Sequence, residues 1–419
     1  MDSFLRKWIE PFYYRFYLIP LSRYRQKRLV RDIRKRGYAN VVFIVSSLPM
    51  WRFQSLYDKL REDSRLRVHI ATYPFPTFSP GQKQEAMTRL HHFFESHKTP
   101  FIDLSAEKRP GTVLRQTIDP DIIFYPQPYN NLFLTDLDGQ FFQDKLLCYI
   151  PYAMLTAKES WAYQNRLNNI AWRVFFQSES RKREAAAVVY NAGRNISVTG
   201  EPMADAFAQS LEKDVWKQQE KPKKRVIWAP HCAITEGGLL HRDSFTWLSE
   251  VMLGIASDYK DHIQFAFKPH PKLLSVLYDF PGWGKTRADA YFQKWADGAN
   301  TQLETGDYID LFKSSDAMIH DSSSFSVEYH FTGKPVLFLS SDLNSVLEHL
   351  NDLGRQAILA HYQGKSKDDI TAFLENTVLS GKDPLCEDRK RFKEQYFSCP
   401  NNKTAVENIY QDIVTSLWG

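Results

Sequence analysis

The feature that most constrains this chain is a recurring pattern: short runs of continuous apolar residues, each ending in small or polar residues and each followed by a segment with helical spacing. "NVVFIVSSLPMW" (40–51) is apolar on both faces before it reaches its serines. That is the signature of a strand covered on both sides, as in a parallel sheet. "SLYDKLRED" then has helical spacing, "LRVHIATYP" returns as a strand, residues 85–98 form a helix, and "TPFIDL" and "DIIFYPQP" (121–128) supply further strands. Strand and helix in alternation require right-handed crossovers and a parallel sheet. A second series follows "ISVTGEPMADAF". Its strands are "RVIWAP" (225–230), "IQFAFKP" (263–269), "AMIH" and "PVLFL", separated by helices that include one carrying Phe245, Leu248, Val251, Met252 and Ile255. Between the series, 209–224 is polar, charged and broken by Pro222, and reads as an exposed connection.

A length of 419 residues exceeds what one hydrophobic core serves, in agreement with two series. The expected fold class is α/β, with two Rossmann-like doubly wound domains at 37–205 and 206–400. A basic tail at 1–36 precedes them, and a helix at 401–419 returns toward the first. Such domains bind ligands at the carboxyl ends of their strands. Neither GxGxxG after a strand nor a Walker A sequence occurs, which excludes the usual dinucleotide and P-loop readings. Cys148, Cys232, Cys386 and Cys399 show no CxxC or finger spacing, which points away from a disulfide framework and a structural zinc site and toward a reducing compartment. No apolar run is long enough to span a bilayer, and Arg15 interrupts the only candidate for a secretory signal.

Charge is unevenly placed. Residues 1–36 hold 11 Lys or Arg against Asp2, Glu10 and Asp32, a net +8 where the whole chain is +5, so the remainder is −3. Basic groups interleaved with Trp8, Phe12, Tyr13, Tyr14, Phe16 and Tyr17 suit an anionic membrane surface, each cation adding about 1 kcal/mol. A solvated basic helix packing its aromatics on its own domain is the alternative. Nucleic acid is disfavoured, because the body of the chain carries no basic stripe.

Three loops at strand ends carry candidate chemistry. In "AMIHDSSSFSVEYHFTGKPVLFL", Asp321 to Ser324 turn a strand into a helix that Gly333 stops. Ser322, Ser323 and Ser324 thus sit at a helix N-terminus, where free N–H groups and hydroxyls favour an anion; an ordinary N-cap is the competing reading. Asp321 repels phosphate and is expected to orient a serine or a ligand hydroxyl. In "FAFKPHPKL", Lys268 and the proline-flanked His270 suit the neutralisation of a diphosphate. In "WAPHCAITEGG", His231 and Glu236 suggest a base and its orienting carboxylate, with Thr235 nearby. Cys232 is set aside as a nucleophile, since neighbours on an extended chain point apart. "TDLDG" (135–139) contains the Asp-x-Asp pattern of some metal-dependent nucleotide-sugar enzymes, but its setting before Gly139 favours an acidic turn, so no metal is assigned.

Together "FKPHP", the Asp-x-Ser-Ser turn followed by Lys334-Pro335, and "VTGEPMADAF" resemble motifs of the bacterial CDP-glycerol glycerophosphotransferase family, over roughly a third of the chain. The resemblance implies a GT-B fold and peripheral attachment to the cytoplasmic membrane face. It also implies transfer of a polyol phosphate from a CDP-linked donor to a lipid-linked glycan acceptor, with no cofactor. By it, His270 contacts the donor diphosphate, Ser322, Ser323 and Ser324 bind its phosphates, Asp321 supports them, and Lys334 borders the cleft. The family's Trp-His-Gly motif has no counterpart in "CYIPYAMLTAKES" (148–160), so His231, or else Glu159, is the expected acceptor base. A glycosyltransferase of the same fold using a nucleotide sugar, and a non-catalytic glycan-binding scaffold, are the rival readings. Oligomeric state is not legible.

Overall fold

In a computed structural model, residues 9–128, 135–158, 160–234, 244–322 and 324–419 are described. The chain forms two compact units: Met1–Ala153 with Glu159–Ala206 and Phe397–Gly419, and Met154–Lys158 with Phe207–Tyr396.

The first unit is built on seven strands: β1 Ala39–Val45, β2 Leu66–Thr72, β3 Ile102–Asp103, β4 Ile122–Tyr125, β5 Leu146–Tyr149, β6 Arg173–Phe176 and β7 Ile196–Val198. They lie in the order β3-β2-β1-β4-β5-β6-β7, all parallel. Every residue of β1 but Asn40 is buried, because helices cover both faces. Phe43 stacks on Phe124 with ring centroids 4.5 Å apart, fixing the central register. The C-terminal helix Ala405–Trp418 belongs to this unit, burying Ile409, Ile413 and Leu417 in its core. The Asp412 carboxylate accepts from Arg173 at 2.6 Å and from Ser197 at 2.6 Å, locking that helix to the starts of β6 and β7.

The second unit carries β8 Lys224–Ala229, β9 Ile263–Phe267, β10 Thr301–Leu303, β11 Ala317–His320, β12 Val336–Leu339 and β13 Tyr362–Gly364. Their order is β10-β9-β8-β11-β12-β13, again parallel. The order therefore reverses between β8 and β11, and between β1 and β4 in the first unit, the points at which such sheets open a crevice. Trp228 stacks on Phe267 (4.9 Å) and Phe245 (5.9 Å), stiffening the base of the β8 and β9 exits.

The segment 209–223 is not the free connection its composition suggests. Trp216 is buried, its Nε1–H donating to Ser314 Oγ at 3.1 Å, and Asp310 accepts from the Glu212 and Lys213 amides. One indole in a polar stretch is enough to pin the strap down, because it buries a large apolar ring and satisfies its only donor. The acidic turn is confirmed in detail. Asp136 accepts from Gly111 N, Thr112 N and Thr112 Oγ1, capping helix Pro110–Thr117, and Asp138 accepts from Gln140 N and Phe141 N.

Candidate functional site

Three loops meet at the carboxyl edge of the second sheet, after β8, β9 and β11. Backbone bonds stitch the first two together: Lys268 N donates to Trp228 O at 2.8 Å, and His270 N to Pro230 O at 3.0 Å. Asp321 stitches in the third. One of its carboxylate oxygens accepts from His231 N at 2.6 Å and the other from the Ser244 hydroxyl. Asp321 is buried, so this carboxylate is a structural clasp for the β8 exit. Among the described residues it does orient a serine, Ser244. Sequence reasoning missed Ser244, because no local signal connects residues 77 apart.

The clasp brings His231 and His270 together, with ring centroids 4.8 Å apart and planes at 54°. Each ring accepts a backbone N–H at Nδ1: Ala233 N to His231 at 3.0 Å, and Lys272 N to His270 at 3.2 Å. A backbone N–H can only donate, so in each neutral ring the proton resides on Nε2. The pair is thereby set as two N–H donors beside one another, the arrangement an anion requires. The same geometry alters the expectation for His231. Its available lone pair is occupied by Ala233, so the ring is arranged as a donor and not as a base.

Cys232 joins these rings: one ligand atom each from His231, Cys232 and His270 lies within 4.8 Å of the others. The expectation that Cys232 and His231 point apart fails, because the loop is irregular and does not alternate as a strand does. Residue identity alone would suit a transition metal. The tautomers do not, since a protonated Nε2 offers a metal no lone pair.

Other predicted residues are placed as follows. Lys268 is buried, its ammonium donating to Gly306 O at 2.6 Å and lying 6.0 Å from the Tyr308 ring centroid. Its charge also reaches Glu304, whose carboxyl is pushed up by burial and drawn back by Lys268. Ser322 is buried, and its amide donates to His320 Nδ1 at 3.1 Å. Ser324 precedes a helix of one turn, Phe325–Glu328, continued by a 3-10 turn Tyr329–Thr332, and its side chain makes no capping bond. That short element supplies less dipole than a full helix, so it offers an anion less than the serine run implies. Lys334 does not border the site. Its ammonium donates to the carbonyls of Phe312, Lys313 and Ser315, at the amino end of β11, and burial lowers its pKa to about 8. Lys-Pro after a glycine stop caps a neighbouring helix here. Ser323, Thr235, Glu236 and Glu159 lie outside the described residues.

At the corresponding edge of the first sheet, Ser46 follows β1 and Gln127 lies two residues beyond β4. Both are buried, and Ser46 Oγ and the two amide atoms of Gln127 find no partner among the described residues. Buried polar groups normally do, which makes this second reversal point a polar feature the sequence did not announce.

The sequence matches no family model and no curated relative. Solved structures do share its architecture. An S. aureus MnaA–UDP co-structure superposes with a TM-score of 0.57 at 15% identity, covering 90% of this chain and 97% of that one. UDP-GlcNAc 2-epimerase from Neisseria meningitidis bound to UDP-GlcNAc gives 0.55 at 15% identity, covering 90% and 99%. A variant of the wall teichoic acid polymerase TagF soaked with CDPG gives 0.56 at 12% identity, covering 94% and 93%. At such identities the likeness is one of fold: two parallel-sheet α/β domains, the class expected from the alternation of strands and helices, of the GT-B type that the family resemblance implies.

Proposed function

We propose that this chain is a transferase that takes a nucleotide-linked donor, and that the donor is a CDP-linked polyol whose polyol phosphate passes to a hydroxyl of a bacterial surface glycan. The observation that carries this reading is the pair of imidazoles at the β8/β11 reversal, each fixed by its own backbone N–H as an Nε2 donor. In the reaction an acceptor oxygen bonds to the donor's β-phosphorus and the bond to the bridging oxygen breaks. CMP leaves with the electron pair, while His231 and His270 donate to the charge that grows on it. Asp321 and Ser244 hold His231 in place, and Ser322 and Ser324 flank the phosphates. The acceptor oxygen gives up its proton to a group other than His231 in this tautomer.

TagF with CDPG, MnaA with UDP and the Neisseria meningitidis epimerase with UDP-GlcNAc share this fold, which supports a nucleoside diphosphate ligand and leaves two donors to separate. The second reading is therefore glycosyl transfer from a nucleotide sugar, where the same imidazoles face the diphosphate and attack falls on the anomeric carbon. The basic, aromatic N-terminal segment supports work at the cytoplasmic face of a membrane. Nucleotide release from CDP-glycerol, CDP-ribitol and UDP-, GDP- and CMP-sugars, with a lipid-linked acceptor extract, separates the two. CMP released from one CDP-polyol, and reduced about 10²- to 10³-fold in His270→Ala, is the expected result. A nucleoside diphosphate released from a sugar donor selects the second reading. Full turnover in His270→Ala removes the imidazole pair from the mechanism.

A further inference from the structure

A cavity of about 810 Å³ opens in the first unit between helix Ile19–Arg36, the residues that precede β6 and β7, and Ser416 of the C-terminal helix. It lies at the amino edge of the sheet, because Arg173 starts β6 and Asn195 immediately precedes β7. The reaction proposed above belongs to a carboxyl edge, so this cavity has no part in it.

Its lining is one-signed. Arg23, Lys27, Arg31, Arg173 and Arg194 contribute, and among the described residues no carboxylate does. Arg173 is compensated, its guanidinium bonding Asp412 and Ser416 at 2.6 Å each. The other four make no ion pair among the described residues. Cations that share a concavity without a counter-charge repel one another, and a bound anion relieves that repulsion. The wall opposite the helix is rigid. Asn191 Nδ2 donates to Asn168 O and Asn169 O at 3.0 Å each, Asn195 Nδ2 to Ala171 O at 2.9 Å, and Gln26 Nε2 ties the helix across to Ile170 O at 2.7 Å. The site is thus preformed, and its size is that of a small-molecule pocket.

What lies beside it points to the source of the anion. The chain is helical from residue 9 to Arg36, and along it Phe12 (65% exposed), Phe16 (68%), Tyr17 (58%) and Tyr24 (62%) face solvent. Tyr24 also lines the cavity, so the exposed aromatic side of the helix runs into the rim of the cationic pocket. Aromatic side chains at headgroup level beside uncompensated Arg and Lys are complementary to an anionic bilayer and to no soluble ligand in particular.

We propose that this pocket seats the phosphate headgroup of an anionic lipid while Phe12, Phe16 and Tyr17 lie in the membrane interface. The inference rests on the interfacial reading of the N-terminal segment and adds to it a site with defined stereochemistry. Two charge-matched variants of the full chain test it by co-sedimentation with vesicles of equal parts phosphatidylcholine and phosphatidylglycerol. Arg23→Gln/Arg31→Gln/Arg194→Gln removes three of the pocket's four cations that lack an ion pair among the described residues; Arg15→Gln/Arg28→Gln/Lys35→Gln removes the same charge elsewhere. Diffuse electrostatics predicts equal weakening. A headgroup pocket predicts that the first variant loses at least about tenfold more affinity than the second, since each lost charge-assisted bond is worth about a factor of ten. Soluble glycerol phosphate should raise the melting temperature of the unaltered protein and of the second variant, and leave the first unmoved. Equal weakening of the two triples, with no thermal response to glycerol phosphate, overturns the pocket. If Phe12→Ser/Phe16→Ser still binds vesicles at full strength, the interfacial reading fails; a thermal response that survives with it identifies a soluble phosphate as the ligand and overturns the lipid source.

Discussion

Burial decides the charge state of the histidines behind the serine turn. His330 is buried, with its Nε2 2.9 Å from His361 Nε2 and 3.0 Å from Ala357 O, and its pKa falls to about 3 because the charged form would lose its hydration. His361 moves the same way, by desolvation and by the neighbouring His330. In the unfolded chain a histidine takes up a proton below about pH 6.5. The folded protein refuses that proton until about pH 3, so the stabilisation is present above pH 6.5 and is lost as pH falls toward 3. Between pH 7 and pH 5 His330 alone should cost about 2 kcal/mol of unfolding free energy. Urea titrations at the two pH values check this. His330→Gln should be less stable at pH 7 but show a shallower loss on acidification, and an unchanged pH slope would mean that the ring takes up its proton in the fold as readily as in the unfolded chain.

At the scale of elements, the site is a set of loops held by one carboxylate. Asp321→Ala would leave the His231 amide and the Ser244 hydroxyl without their acceptor, at about 1–3 kcal/mol each if both stay buried. The expected loss is about 2–5 kcal/mol of stability together with reduced nucleotide release, whereas Asp321→Asn, which keeps an oxygen for His231, should lose less of both. Equal effects of the two variants in denaturation and turnover would mean that charge, and not hydrogen bonding, sets the clasp. This clasp also marks the limit of what the sequence discloses. The strands "NVVFIV", "RVIWAP", "IQFAFKP", "AMIH" and "PVLFL" are legible because each is apolar on both faces and ends at a turn. β6, β7 and β13 are four residues or fewer and each contains a polar residue, so nothing separates them from loops. Their place comes from pairing with strands already in the sheet. His231 and His270 were legible as residues at strand ends. Their tautomers were not, since these depend on which backbone N–H turns back toward Nδ1. Lys334 misled because a lysine after a helix stop looks the same whether it faces a ligand or a row of carbonyls.

For the whole molecule, the order of the chain and the division into units do not coincide. The first unit is completed only by Phe397–Gly419, after the whole of the second has been made. The helix Ala405–Trp418 places Ile409, Ile413 and Leu417, each fully buried, against the core that β1 and helix Gln54–Arg61 build. Burial of three such side chains is worth about 5–9 kcal/mol, a sum as large as the net stability of many single domains. Arg34, which donates to Leu417 O at 2.7 Å, and the Arg173–Asp412 pair would lose their partners as well. None of these residues enters the buried clusters of the second unit, which are assembled from residues between Trp216 and Val378. A chain ending at Tyr396 should therefore lose the first unit and keep the second. Hydrogen exchange checks it strand by strand: protection should disappear from β1 to β7 and persist from β8 to β13. Loss of protection in both sheets would show that the second unit depends on the first for its stability, and protection retained in β1 would show that the first core is sufficient without the helix that closes it.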